Sequence, residues 1–127
     1  MTITDSPHLI PSAIPVLEEA GVEVAFGPEG AEPAQVASLA ADSDAVMALL
    51  MPFDAASLAA LERPRLLVRC GIGYDTIDID AAAARGIAVA NVPDYCVSEV
   101  ADHTLALMLH LLRRLDSYRV RSGDTWT

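Results

Sequence analysis

The residues best placed to do chemistry form one short run. Arg69-Cys-Gly-Ile-Gly-Tyr-Asp-Thr-Ile-Asp78 follows an apolar stretch and sets Gly71 and Gly73 one residue apart. Glycine lets the backbone turn sharply and come close to a ligand. Successive N–H groups in such a turn can form a nest for an anion. The chemistry on offer is the holding of a small carboxylate by main-chain amides. A dinucleotide-binding loop is the competing reading of Gly71-Ile-Gly73, but the position three after Gly73 is Thr76, where that fingerprint takes glycine or alanine. A plain tight turn between a strand and a helix also fits the spacing. On either reading Asp75 fixes the turn through side-chain-to-backbone hydrogen bonds.

Other chemistries find little support. Cys70 and Cys96 stand in no Cys-x-x-Cys or Cys/His spacing, so no zinc or redox motif is present and no metal site is expected. Cys70 ends an apolar run and reads as a buried, inert thiol. Eighteen acidic against eight basic residues give a net charge of -10. Such a surface repels nucleic acid and anionic lipid. An anionic substrate then needs local compensation, which the amides of a glycine turn supply. The start Met1-Thr-Ile-Thr-Asp5 lacks the basic and apolar regions of a signal peptide. The greasiest helical stretch, Thr104 to Leu112, is interrupted by His110 and falls far short of the ~20 residues of a membrane span. A cytoplasmic location follows by default.

The elements that must position the turn are legible from caps and periodicity. The 127 residues suit one domain. An apolar content rich in alanine, leucine and valine, with 5% aromatics, favours helices on a small parallel sheet over a sandwich. Thr2-Ile-Thr4 is a weak strand, and Pro7 and Pro11 mark the loop after it. Ser12 caps a helix that ends at Gly21. Val22 to Phe26 alternates and meets Gly27-Pro28 as a strand does. Pro33 to Ala41 is a helix with proline in its first turn. Ala45 to Leu50 and Leu66 to Arg69 are buried strands. Phe53 to Leu61 is helical with Asp54 as cap. Asp78 to Arg85 is a helix closed by Gly86, and Ile87 to Ala90 a last strand before Asn91-Val-Pro93. This alternation predicts an α/β fold, a flavodoxin-like open parallel sheet with helices on both faces. Ligands bind beyond the carboxyl ends of such strands, where the Gly71 turn falls.

From Val97 the character changes. Val97, Val100, Ala101, Thr104, Leu105, Met108, Leu111, Leu112 and Leu115 recur at helical spacing, with Ser98 read as the cap. Leu107 and Leu109 widen the apolar arc beyond one packing face, so this long helix needs a second partner. Arg113 and Arg114 favour its carbonyl end. Two regions follow: residues 1–93 as the α/β portion, and 94–127 as an interdomain helix with the start of a link.

Three segments taken together resemble the D-2-hydroxyacid dehydrogenase family. They are Arg69 to Asp78, Ala84 to Pro93 (Ala-Arg-Gly-Ile-x-Val-x-Asn-Val-Pro) and Val100 to Leu107 (Val-Ala-Asp-His-Thr-Leu-Ala-Leu). Glu19 to Pro28 and Ser122 to Trp126 add to the likeness, which is nearest to the phosphoglycerate dehydrogenase-like and C-terminal-binding-protein-like branches. The resemblance implies hydride transfer between a nicotinamide cofactor, NAD by family default, and a 2-oxo or 2-hydroxy acid. It implies that the backbone at Ile72 and Gly73 holds the substrate carboxylate, with Gly71 and Arg69 shaping the turn and Tyr74 at the pocket edge. Ile72 would also lie beside the nicotinamide. Thr104 would approach the cofactor phosphates or ribose, although a helical threonine bonding its own backbone is the simpler account. Asn91-Val-Pro93 resembles the crossing between two domains.

The resemblance also marks what these residues do not contain. No Gly-x-Gly-x-x-Gly occurs in residues 1–127, and the family's catalytic Arg, acid and His lie after the cofactor fold. His103 is therefore not the catalytic histidine and reads as a satisfied helix residue at the domain junction. Arg113, Arg114, Arg119 and Arg121 read as a helix end and a solvated face. The expectation is the front part of an NAD-dependent dehydrogenase, inactive alone, with residues before Met1 possible. Half of a split enzyme, or a non-catalytic module binding a small carboxylate or a protein, are the other readings. Family members are usually homodimers, and self-association through the Val97–Leu115 helix is a further expectation.

Overall fold

Helix caps alternate with short apolar runs along the chain, and the computed structural model resolves that alternation into strands and helices. It describes residues 1–3, 11–27 and 32–117. Among them are β1 (Thr2–Ile3), α1 (Ala13–Glu19), β2 (Ala25–Phe26), α2 (Pro33–Ala40), β3 (Ala45–Ala48), α3 (Ala55–Ala59), β4 (Leu66–Arg69), α4 (Ile79–Ala84), β5 (Ala88–Ala90) and α5 (Val97–Arg113). Thr4, Pro7, Pro28, Arg119, Arg121 and Ser122 to Trp126, which the sequence reading used, lie outside the described residues.

Every strand pair is parallel, and the order is β2-β1-β3-β4-β5. This is the flavodoxin-like α/β sheet expected from the sequence. The chain moves one way across the sheet from β1 to β2 and the other way from β2 onward. Right-handed crossovers then put α1 on one face and α2, α3 and α4 on the other. The core lies under the three-helix face. Val46 and Ala48 of β3 and Leu67 of β4 pack with Val36, Ala37 and Ala40 of α2, Leu58 of α3 and Ala82 of α4. Residues of β3 alternate between buried and half-buried, as a pleated strand covered unequally on its two faces requires. On the opposite face Met47, Leu66 and Val68 line a groove of 890 Å³ together with Leu17 of α1.

Where boundaries moved, hydrogen bonding moved them. The strand expected over 22–26 shrinks to Ala25–Phe26, because its register runs only against Thr2 and Ile3. The helix expected from Phe53 starts at Ala55. Phe53 instead bridges Ile77 in parallel, so its backbone is committed to the sheet's extension. Asp54 is the cap as expected, its Oδ1 accepting from Ser57 N at 2.8 Å. Ser12 occupies the cap position of α1 but makes no capping hydrogen bond. Ser98 is not the cap of α5. The carbonyl of Cys96 accepts from Val100 N at 3.0 Å, and Cys96 has the non-helical dihedrals of a cap, so backbone geometry overrides the side-chain preference. Gly21 and Gly86 stop α1 and α4 at φ 73 and φ 70, a left-handed conformation that favours glycine.

Asp54 gives a pH prediction. Hydrogen bonds from the Ser57 side chain and backbone hold its carboxyl below the ordinary carboxylate value. A depressed folded-state value adds stability at pH above the unfolded value, and that stability is lost as pH falls through the folded one. Asp54→Asn keeps an amide oxygen for the cap but removes the titration. The urea midpoint of the variant is expected to fall less than wild type between pH 6 and pH 3. An equal fall in both proteins would count against the assignment.

The chain divides into two compact units, Met1–Pro93 and Asp94–Thr127. In the second unit no side chain of α5 is buried, and Val97, Val100, Leu105, Leu111 and Leu112 are each more than half exposed. No helix among the described residues is long and apolar enough to cross a membrane.

Candidate functional site

The turn that follows β4 is held at three points. At its start, Cys70 N donates to Ala48 O at 2.7 Å, extending the β3–β4 ladder by one rung, and Gly71 N donates back to Arg69 O at 2.9 Å. This tight three-residue turn ends the strand. At its far end Ile77 N donates to Tyr74 O at 3.0 Å. There Phe53 clamps the chain: Phe53 N donates to Thr76 O at 2.9 Å, and Asp78 N to Phe53 O at 2.8 Å. Asp78 then caps α4 through Ala81 N at 2.9 Å. The third anchor comes from the segment after β5. Asn91 Nδ2 donates to Ile72 O at 2.8 Å and Val92 N to Gly71 O at 3.1 Å.

The amides from Ile72 to Thr76 are left without an acceptor among the described residues. Among them are the adjacent amides of Ile72 and Gly73. Ile72 and Tyr74 are 41% and 55% exposed, so the tip of the turn stands open to solvent. Two adjacent N–H groups without partners, at the carboxyl end of a parallel strand, are a ready binder for an anionic oxygen.

Both glycines serve close approach, since neither has a positive φ. A Cβ on Gly71 would overlap Arg69 Nη1 and stand 2.7 Å from Cζ. The guanidinium thus fills the space a side chain would take. Its Nε is buried with no hydrogen-bond partner. A Cβ on Gly73 would stand 2.8 Å from Asp75 Oδ1. Asp75 makes no hydrogen bond among the described residues, which corrects the expectation that it fixes the turn. The backbone bonds just described do that, and the Asp75 side chain stays exposed to water.

Beside the turn lies an apolar pocket of 340 Å³ lined by Tyr74, Ile79, Ala83, Ile87, Val89 and Asn91. Tyr74 is therefore both a largely exposed aromatic and a pocket wall. Thr104 lies in the second unit, where its hydroxyl donates to Val100 O at 2.7 Å. That is the backbone bond expected of a helical threonine. It leaves the hydroxyl only as an acceptor. His103 is exposed and makes no hydrogen bond among the described residues, which corrects the expectation of a helix residue satisfied within the protein. Cys70 and Cys96 are half-buried, so Cys70 is less enclosed than its apolar run suggested: the strand ends there and the turn opens to water. No three His, Cys, Asp or Glu among the described residues are grouped to hold a metal. Sequence reasoning missed Asn91 and Phe53 as anchors. Asn91 lies inside the Ala84–Pro93 segment, but nothing in the sequence marks its reach of 19 residues back to Ile72, and nothing marks Phe53.

A model of the D-isomer specific 2-hydroxyacid dehydrogenase catalytic domain matches residues 1–123. The chain belongs to this family. Within the D-2-hydroxyacid dehydrogenases it is similar to D-3-phosphoglycerate dehydrogenase of Mycobacterium tuberculosis. The identity is 42% over 62 residues, which are 49% of this chain and 12% of that relative. Its fold matches the NAD+-bound 3-phosphoglycerate dehydrogenase of Entamoeba histolytica at TM-score 0.74 and 28% identity, covering 87% of this chain and 38% of that one. It also matches an acyclic imino acid reductase in complex with NADPH and D-Arg at TM-score 0.83. There the identity is 21% over 100% of this chain and 43% of that one, a likeness of fold. The chain thus spans less than half the length of these relatives.

Proposed function

We propose that this chain is the substrate-holding part of a D-2-hydroxyacid dehydrogenase, and that Ile72 and Gly73 hold the carboxylate of a small 2-oxo or 2-hydroxy acid. One observation carries the reading: hydrogen bonds tie both ends of the turn, while the adjacent amides of Ile72 and Gly73 at its exposed tip donate to no described residue. Unpaired donors at an open strand end suit an anion, and they do so without a basic surface in a protein of net charge -10. Gly71 and Arg69 shape the turn from beneath, and Tyr74 borders the pocket.

The cofactor of the reading is NAD, which when bound would accept a hydride from a 2-hydroxy acid or, as NADH, donate one to a 2-oxo acid. Ile72 offers an exposed apolar side chain suited to the face of a nicotinamide ring. Thr104 fits less well toward phosphate, because its hydroxyl proton is engaged by Val100 O while phosphate oxygens need donors. Proton transfer needs an acid within hydrogen-bond reach of the substrate oxygen, a role that the family resemblance puts on no residue of the turn. These 127 residues by themselves are therefore expected not to oxidise NADH with glyoxylate, hydroxypyruvate or pyruvate. Turnover above blank in a pure sample would contradict this. A cytoplasmic, homodimeric enzyme belongs to the same reading.

A second reading takes its support from α5. Its wholly unburied apolar residues suit cover by a further segment or a second chain bringing the redox machinery, or by another copy of this helix. A non-catalytic carboxylate-binding module is the remaining form. Titration with pyruvate in the absence of NADH separates the two, because only the module form needs tight binding of acid alone.

A further inference from the structure

We infer that Asn91 is a positioning residue that aims the Gly73 amide, working with the backbone of Val92, which aims the Ile72 amide. This rests on the proposal that these two amides hold a carboxylate. The argument begins from the peptide group. A trans peptide is planar, so the carbonyl of one residue and the N–H of the next point in opposite directions. The Ile72 carbonyl and the Gly73 N–H share one peptide, and Asn91 Nδ2 grips that carbonyl at 2.8 Å. The Gly71 carbonyl and the Ile72 N–H share the preceding peptide, and Val92 N grips that carbonyl at 3.1 Å. Both carbonyls are thus drawn toward the segment after β5, and both amides are turned away from it.

Without these bonds the two peptide planes are under weak control. Gly71 and Gly73 flank Ile72, and glycine leaves the rotations about a peptide nearly free. No described residue accepts from the Ile72 or Gly73 amide, so nothing holds the donor side of either peptide. The carbonyl side alone sets their direction. Asn91 suits the task because a carboxamide N–H donates at any ordinary pH, whereas aspartate would set a second acceptor against the carbonyl. Asn91 and Val92 belong to the end of the first unit, Met1–Pro93, so the segment after β5 is the one that orients the turn.

The test uses the ¹⁵N,¹³C-labelled chain with sodium oxalate as the probe. In wild type, oxalate is expected to shift the amide signals of Ile72 and Gly73. In Asn91→Ala the affinity is expected to fall about threefold to tenfold, the range for loss of one hydrogen bond of ordinary net worth. The saturating shift of Gly73 should fall relative to that of Ile72, whose peptide Val92 still holds. A merely structural role would weaken both amides alike. Without oxalate, the Ile72 carbonyl signal should move while that of Gly71 stays. Asn91→Asp, nearly isosteric and unable to donate when ionised, should give the same pattern and serves if the alanine variant does not fold. Wild-type affinity with an unchanged Gly73-to-Ile72 ratio would overturn the inference, as would an unmoved Ile72 carbonyl. A wild-type chain whose two amides ignore oxalate would defeat the carboxylate reading alone, and the carbonyl comparison would still decide the role of Asn91.

Discussion

Phe53→Ala is expected to lower the unfolding free energy by about 3–5 kcal/mol, the range for removing a buried phenylalanine. Phe53 is 1% exposed and belongs to the core cluster with Leu58, Leu61 and Ile77. Its backbone joins the loop after β3 to the loop after β4. A cavity there cannot collapse easily, because the backbone on both sides is bonded through Thr76 O, Phe53 N, Phe53 O and Asp78 N. A domain of this size has a net stability of about 5–15 kcal/mol, so the substitution removes a large share of it. The consequence reaches the site, since the same backbone clamps the far end of the Gly71 turn. Urea denaturation followed by circular dichroism gives the loss. Amide exchange at Ile77 and Asp78 tells whether the clamp opens with it. A loss under about 1 kcal/mol would contradict the packing described.

Gly71→Ala is expected to destabilise by about 1–3 kcal/mol, the usual result of overpacking. The new methyl would collide with Arg69 Nη1 and Cζ. The guanidinium tip is flexible, but Nε is already buried, so the whole head must swing out and leave its place under the turn. The specific claim is one of coupling. In the double variant Arg69→Ala with Gly71→Ala the methyl enters the space the guanidinium vacates. The two losses should then fall short of additivity by about 1 kcal/mol or more, as for residues in direct contact. Strict additivity in a urea-denaturation cycle would show that Arg69 and Gly71 do not share the space.

The pattern of local signals explains which parts of the chain could be read without coordinates. Leu66–Arg69 came through as a strand with its bounds intact, because four apolar or stem-bearing residues lie between a proline and a glycine turn. Asp54 and Asp78 were legible as the start of helices, since capping is settled within three residues. The open parallel sheet followed from the alternation of such pieces, because strand–helix–strand connections have one favoured hand.

What the sequence by itself determined, then, was the alternation of elements, the place of the glycine turn and the family that carries it. All of these depend on residues close together in the chain. The tertiary structure alone decided how the turn is held. Phe53 left its expected helix to bridge Ile77, and Asn91 reached back to Ile72. It also replaced the expected Asp75 anchor with backbone bonds and placed the Arg69 guanidinium against Gly71. The Phe53 and Asn91 contacts join residues that only the parallel register of β3, β4 and β5 brings together. Spacing along the chain holds no measure of distance across a sheet, so the direction in which two amides point could be learned only from the folded backbone.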